Sequence, residues 1–164
     1  MTYSISGLRK TAAAIGFSLL AFTAANSAYA ANATVLVQMD SYEGDEAYFA
    51  LYLVNPDGRY EKTLWVSGDE ARWYPDLNRW FRYLSRNPQE LDAITGASTG
   101  GNDRAIIHFE IDEALIDAGY ALRVETSVED RENYFDDVQV DLTSDGQRAR
   151  TQGTGYVRYI RYKF

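Results

Sequence analysis

The 164-residue sequence has no cysteine, a single histidine and only three prolines. Without cysteine there can be no disulfide framework, thiolate metal site, iron–sulfur cluster or lipid-bearing thiol, so the core alone must hold the fold. One imidazole, His108, makes a zinc or haem site unexpected and leaves no nucleophile–His–acid arrangement to argue for. No apolar run reaches the roughly 20 residues of a spanning helix. No Gly-rich dinucleotide fingerprint is present, so the sequence offers no site for a dinucleotide of that type. Positive charge is also scarce, with 16 Lys and Arg against 24 Asp and Glu for a formal net charge of −8. Such acidity repels phosphate backbones and anionic membrane surfaces, and argues against nucleic acid as a partner.

Residues 1–30 read as a secretory signal peptide. Arg9 and Lys10 precede an apolar run from Thr11 to Phe22, and Ala28-Tyr29-Ala30 has the small-x-small cleavage pattern. Cleavage after Ala30 leaves residues 31–164, expected to form a single domain with no transmembrane segment. Loss of Arg9 and Lys10 takes the formal net charge from −8 to −10.

The mature region is a succession of short apolar segments. Ala33 to Met39 reads as a strand that stops at an acidic turn. Ala47 to Val54 is apolar on both alternating sets, the pattern of a central strand covered on two faces. Asn55-Pro56-Asp57-Gly58 supplies the turn into a strand from Arg59 to Val66. Glu70 to Ser85 reads as an amphipathic helix, with Leu77, Trp80, Phe81 and Leu84 at i, i+3, i+4 and i+7 and Pro75 near its start. Further strands are expected at Arg104–Ile111, Gly119–Val128, Asn133–Leu142 and Tyr156–Phe164, with Asp112–Ala118 as a turn or single helical turn. In the strand Asn133–Leu142, Asp137 falls on the exposed face. The acidic clusters Asp40-Glu43-Asp45-Glu46 and Glu129-Asp130-Glu132-Asp136-Asp137 lack the spacing of an EF-hand calcium loop and read as solvated loops, and His108 reads as a surface or sheet histidine. About seven strands and one inserted helix predict a mainly β fold, an antiparallel immunoglobulin-like β-sandwich. The ending Tyr162-Lys163-Phe164 resembles the aromatic terminal signal of outer-membrane barrels, but the helix and long loop between Gly68 and Asp103 break the regular strand succession a barrel needs.

That loop, Asn87 to Asp103, is long for a compact domain, and such loops are functional or disordered. It holds Asp92-Ala93-Ile94-Thr95-Gly96-Ala97-Ser98. The pattern resembles the acceptor motif on which periplasmic flavin transferases esterify FMN, through its phosphate, to the final hydroxyl. The resemblance makes Ser98 the acceptor and Asp92 a recognition or positioning residue. Thr95 is suited to a local hydrogen bond that holds the turn. Gly96 and Ala97 keep steric bulk low, and Gly96 permits backbone angles that a Cβ would resist. The motif more commonly ends in Thr; Ser98 carries the same oxygen without the methyl. Trp73 and Tyr74 are candidates to stack on a flavin ring, although aromatics at helical spacing are more often core. Without the resemblance, the stretch is a flexible polar linker.

The hairpin around Asn55-Pro56-Asp57-Gly58-Arg59-Tyr60, the segment Trp73-Tyr74-Pro75-Asp76-Leu77, the Leu91–Ser98 loop and Ala118 to Glu125 together resemble a periplasmic family catalogued as domain of unknown function 2271. That family is associated with PepSY-type membrane proteins, flavin transferases and iron acquisition. The resemblance implies a periplasmic electron carrier with covalent FMN, working with a flavin transferase and a PepSY-type membrane protein in iron reduction or uptake. It implies a redox carrier or accessory protein more than a stand-alone enzyme. The alternative is a non-catalytic β-sandwich module that binds a partner protein, with the loop a mere connection.

Overall fold

A strand that is apolar on both faces needs a layer above it and a layer below, and the molecule is built to supply both. The computed structural model describes Met1 and residues 29–164. The expected signal peptide, apart from Met1, Tyr29 and Ala30, therefore lies outside the described residues. Among the described residues there are nine strands: β1 (Ala30–Met39), β2 (Tyr48–Val54), β3 (Tyr60–Ser67), β4 (Thr95–Gly96), β5 (Arg104–Asp112), β6 (Ala121–Ser127), β7 (Tyr134–Asp141), β8 (Thr151–Gln152) and β9 (Val157–Lys163). They form two sheets, ordered β5-β1-β9-β8 and β4-β3-β2-β6-β7. Seven are long and correspond to the expected strands. The other two, β4 and β8, have two residues each. The result is a β-sandwich, with open sheets and not a closed barrel.

Phe49, Leu51 and Leu53 of β2 point into the sandwich, where they meet Val35 and Val37 of β1, Ile107 of β5 and Ile160 of β9. The alternate set, Ala50, Tyr52 and Val54, lies in a second core with Val66, Leu77 and Trp80. That core sits beneath α1 (Asn78–Arg86), the helix laid on the outer face of the five-stranded sheet. The turn into β3 forms as expected. Asn55 Oδ1 accepts from the N–H groups of Asp57 and Arg59 at 3.1 and 3.0 Å, and Gly58 takes a φ of +75°.

The single helix expected over Glu70–Ser85 is instead two pieces, a 3-10 helix over Ala71–Asp76 and then α1. Pro75 lies inside the first piece, where its missing N–H is best tolerated by a short, non-α turn, and Leu77 breaks the run at ψ 69°. α1 has no side-chain cap of its own. Its cap comes from β6: the Glu125 carboxylate accepts from Arg79 N at 2.8 Å and Trp80 N at 2.7 Å, satisfying two donors that a helix start leaves open. Glu125 is fully buried, and that desolvation pushes its carboxyl up to about 7. The Trp80 indole N–H completes the dock by donating to Thr63 Oγ1 at 2.8 Å.

Asp137 corrects the expected alternation in β7. The β6–β7 register runs Val124↔Val138 and then Thr126↔Tyr134, so β7 carries extra residues at a bulge, and Asp137 turns inward beside Val138. Its buried carboxylate accepts from Thr126 Oγ1, Thr154 N, Gly155 N, Tyr156 N and Val157 N at 2.7 to 3.1 Å. One side chain thus ties both sheets to the segment that enters β9.

Two consequences can be measured. The proton on Glu125 is held more tightly in the folded than in the unfolded chain, so it stabilises the fold fully below about pH 4.5 and this contribution is lost as pH rises through about 7. In urea melts, the stability advantage of the native chain over Glu125→Ala should shrink by about 3 kcal/mol between pH 4.5 and pH 7.5. Asp137→Ala leaves several buried N–H groups without an acceptor and should cost about 3 kcal/mol or more in the same melts.

Candidate functional site at Ser98

The chain leaves α1 at Asn87 and returns along the open edge of β3. Gln89 fastens the return, its side-chain amide accepting from Thr63 N and donating to Thr63 O, each at 3.0 Å. Next, β4 pairs in parallel with β3, Thr95 opposite Val66 and Gly96 opposite Ser67. Val66 N donates to Ile94 O at 2.8 Å, and Gly68 N to Gly96 O at 2.6 Å. Thr99 then bridges Ala47 through both backbone bonds, while Ser67 Oγ donates to Ala97 O at 2.7 Å. The segment expected to be a flexible linker or exposed loop is a short edge strand with its backbone tied on two sides.

Gly96 has a different task from the one expected of it. Its φ is not in the left-handed region. The requirement is space, because a Cβ there would stand 2.5 Å from Trp65 Cζ2. Asp92 and Ala93 are exposed in the turn ahead of β4, Ala97 is exposed after it, and Thr95 and Ser98 are half-buried. Asp92 is not brought to Ser98; its charge is felt instead at Tyr74, whose phenol is raised mainly by burial.

The side chain that meets Ser98 is Glu46, from the acidic turn after β1. Ser98 Oγ donates to Glu46 Oε2 at 2.5 Å. Nothing in residue spacing linked these two, since they lie 52 positions apart. Together they line a cleft of about 350 Å³, whose walls also include Tyr48, Trp73 and Arg72. Arg72 lies over the Trp73 ring at 5.0 Å and also pairs with Glu70 at 2.5 Å. Besides Glu46, the cleft is lined by Asp45, Glu70, Asp76 and Glu129, an acidic wall to which the clusters read as solvated loops contribute Asp45, Glu46 and Glu129. Of the two aromatics offered for stacking, Trp73 is at the cleft. Tyr74 is core: it is buried, edge-on to Trp80 at 5.3 Å, and its hydroxyl donates to Gly68 O. On its other side Ser98 borders an open groove of about 610 Å³ with Trp65 in its wall.

A hydroxyl that solvent can reach, a carboxylate positioned to take its proton and an indole on each side together fit a phosphoester-linked flavin. Among the described residues Arg72 is the only cation lining the cleft, and it would be the one to meet such an ester's charge. Gly96→Ala tests how this platform is held. It should cost about 1–3 kcal/mol, because the Trp65 ring must move. Hydrogen exchange should speed up at Val66 N–H and Gly68 N–H, the two donors to the β4 segment.

Comparison with known proteins adds one match: a family model described as "Predicted periplasmic protein (DUF2271)" covers residues 30–159. No curated protein and no solved structure matches the chain. Among the described residues, no helix is long and apolar enough to cross a membrane.

Proposed function

Because the chain belongs to the DUF2271 family of predicted periplasmic proteins, we propose that it is an exported periplasmic electron carrier bearing FMN on Ser98. The observation that carries this reading is the Ser98 Oγ–H···Oε2 Glu46 hydrogen bond in the lining of a cleft that also holds Tyr48 and Trp73. An alcohol is a weak nucleophile until a base takes its proton, and Glu46 is positioned to do so. Ser98 Oγ would bond to the flavin phosphorus as the bond to the donor's leaving group breaks, the proton passing to Glu46. Trp73 and Trp65 flank the oxygen as surfaces on which a ring can stack. A bound flavin supplies one- or two-electron transfer, tuned by such stacking and by hydrogen bonds. The partners in this reading are a periplasmic flavin transferase and a PepSY-type membrane protein, with iron reduction or uptake as the process served.

The acidic wall favours a second reading, a non-catalytic module that binds a partner protein. A phosphoester at Ser98 would bring negative charge against Glu46 in a cleft that already holds five carboxylates. One experiment separates the two. Protein purified from cells that supply a periplasmic flavin transferase should be yellow, keep its absorbance through denaturation, and yield a flavin-modified peptide containing Ser98 by mass spectrometry. Ser98→Ala should abolish the adduct and Ser98→Thr should retain it, while Glu46→Gln should slow labelling by ten-fold or more. A colourless protein with an unmodified Ser98 peptide would leave the binding module as the reading.

A further inference from the structure

The two sheets differ in how their outer faces are covered. α1 lies on the five-stranded sheet, whereas among the described residues no helix lies on the β5-β1-β9 face. Cross-strand register sets that face in rows. His108, Thr34 and Lys163 form one row, and Ile106, Leu36 and Arg161 the next. Arg148, from the turn after β7, reaches the same place. Its backbone is in the left-handed region at φ +65°, unusual for a residue with a Cβ, and its N–H donates to Tyr162 O at 2.7 Å. Gly146, just before it, is packed so closely that a Cβ would fall 2.4 Å from the Tyr162 hydroxyl. The turn that delivers Arg148 is therefore fixed in place.

These residues enclose a recess of about 530 Å³, within the size range of small-ligand sites. Its floor is apolar, with Leu36 at the bottom and Ile106 standing 55% exposed, one of the few large apolar side chains so exposed among the described residues. Its rim carries Arg148, Arg161 and Lys163. No Asp or Glu lines it, and among the described residues none of the three cations is in an ion pair. In a chain with formal net charge −8, three unpaired cations around an apolar floor are not what surface solvation alone produces. The lone histidine is on the rim too, with Nδ1 3.2 Å from Thr34 Oγ1.

From this arrangement we infer that the recess binds a small amphiphilic carboxylate, an apolar chain or ring with one anionic head. The guanidinium groups of Arg148 and Arg161 suit a planar carboxylate, and the Leu36–Ile106 floor suits the apolar body. A small ligand fits the charges better than an anionic bilayer does. An extended anionic surface feels the repulsion of the whole acidic molecule, whereas a ligand inside the recess is within a Debye length, about 8 Å at physiological ionic strength, of the three cations.

Titration calorimetry on the mature chain, residues 31–164, tests this with dodecanoate, butyrate and dodecyltrimethylammonium as probes. Dodecanoate should bind saturably at one site, with butyrate and the cationic amphiphile each at least ten-fold weaker. The double variant Arg161→Glu, Lys163→Glu should weaken dodecanoate by ten-fold or more, and Ile106→Gln by three-fold or more. All three positions are exposed, so thermal melts should show these variants as stable as the native chain. Equal binding of the cationic amphiphile, unchanged affinity in the double variant, or sedimentation with anionic vesicles without dodecanoate binding would overturn the inference. The last result would point to a membrane surface instead. None of these readouts depends on flavin at Ser98.

Discussion

Burial of β2 on both faces is the constraint from which the rest of the molecule follows. A sheet made of one such strand and its neighbours cannot leave either side to water, because each large apolar side chain left exposed forgoes about 1.5–3 kcal/mol. Sheet β5-β1-β9-β8 covers one side and α1 the other. Since α1 must lie across the strands it covers, the chain leaving it emerges beside β3 and has to travel back before β5 can begin. That return path is β4 and the Thr99–Ala47 bridge, and it delivers Ser98 to Glu46. The candidate site is thus a by-product of covering β2, held by backbone pairing on a scaffold edge.

Two buried carboxylates hold the layers in register, by different physics. Asp137 accepts from four backbone N–H groups and one hydroxyl, so its charge is met on nearly every lone pair. Glu125 has two N–H donors and the positive end of a nine-residue helix, too little to offset complete burial, and its proton is therefore bound near neutral pH. The sandwich is locked by a fully solvated-in-protein carboxylate. The helix is docked by one on the edge of titration.

Much of the architecture was legible from local pattern. The two-faced apolarity of Ala47–Val54, the Asn55–Gly58 turn and the Leu77, Trp80, Phe81, Leu84 stripe are properties of neighbouring residues, and each reappears as β2, its hairpin and α1. Features that depend on distant residues were not legible. Asp137 looks exposed if alternation is strict, and only the β6–β7 bulge turns it inward. Glu125 is a lone acid in an apolar strand, a visible oddity, and the uncapped start of α1 is its counterpart far away in sequence. Ser98 could be singled out within its motif, but Glu46, Trp65 and the pairing of β4 with β3 are contacts across 29 to 52 positions. Gly96 was recognised as special for its backbone freedom, while the constraint is the indole laid across it.

Charge is distributed along one surface path that runs through Ser98. The cleft on one side of it holds five carboxylates and one arginine. The groove on its other side passes Trp65 and reaches Ile106, which is also the wall of the recess ringed by Arg148, Arg161 and Lys163. The field therefore changes sign along this path, although the molecule as a whole is acidic. A partner of matching polarity would be oriented before contact, its cationic side drawn to the cleft and its anionic side to the recess. For a carrier loaded at Ser98, such orientation would present the same edge, β4 and its flanking indoles, to each partner in turn. For a binding module it would fix the register of one complex. In either reading, specificity of this kind would come from the acidic cleft and the basic recess at the two ends of the path, and an acidic net charge alone would not provide it.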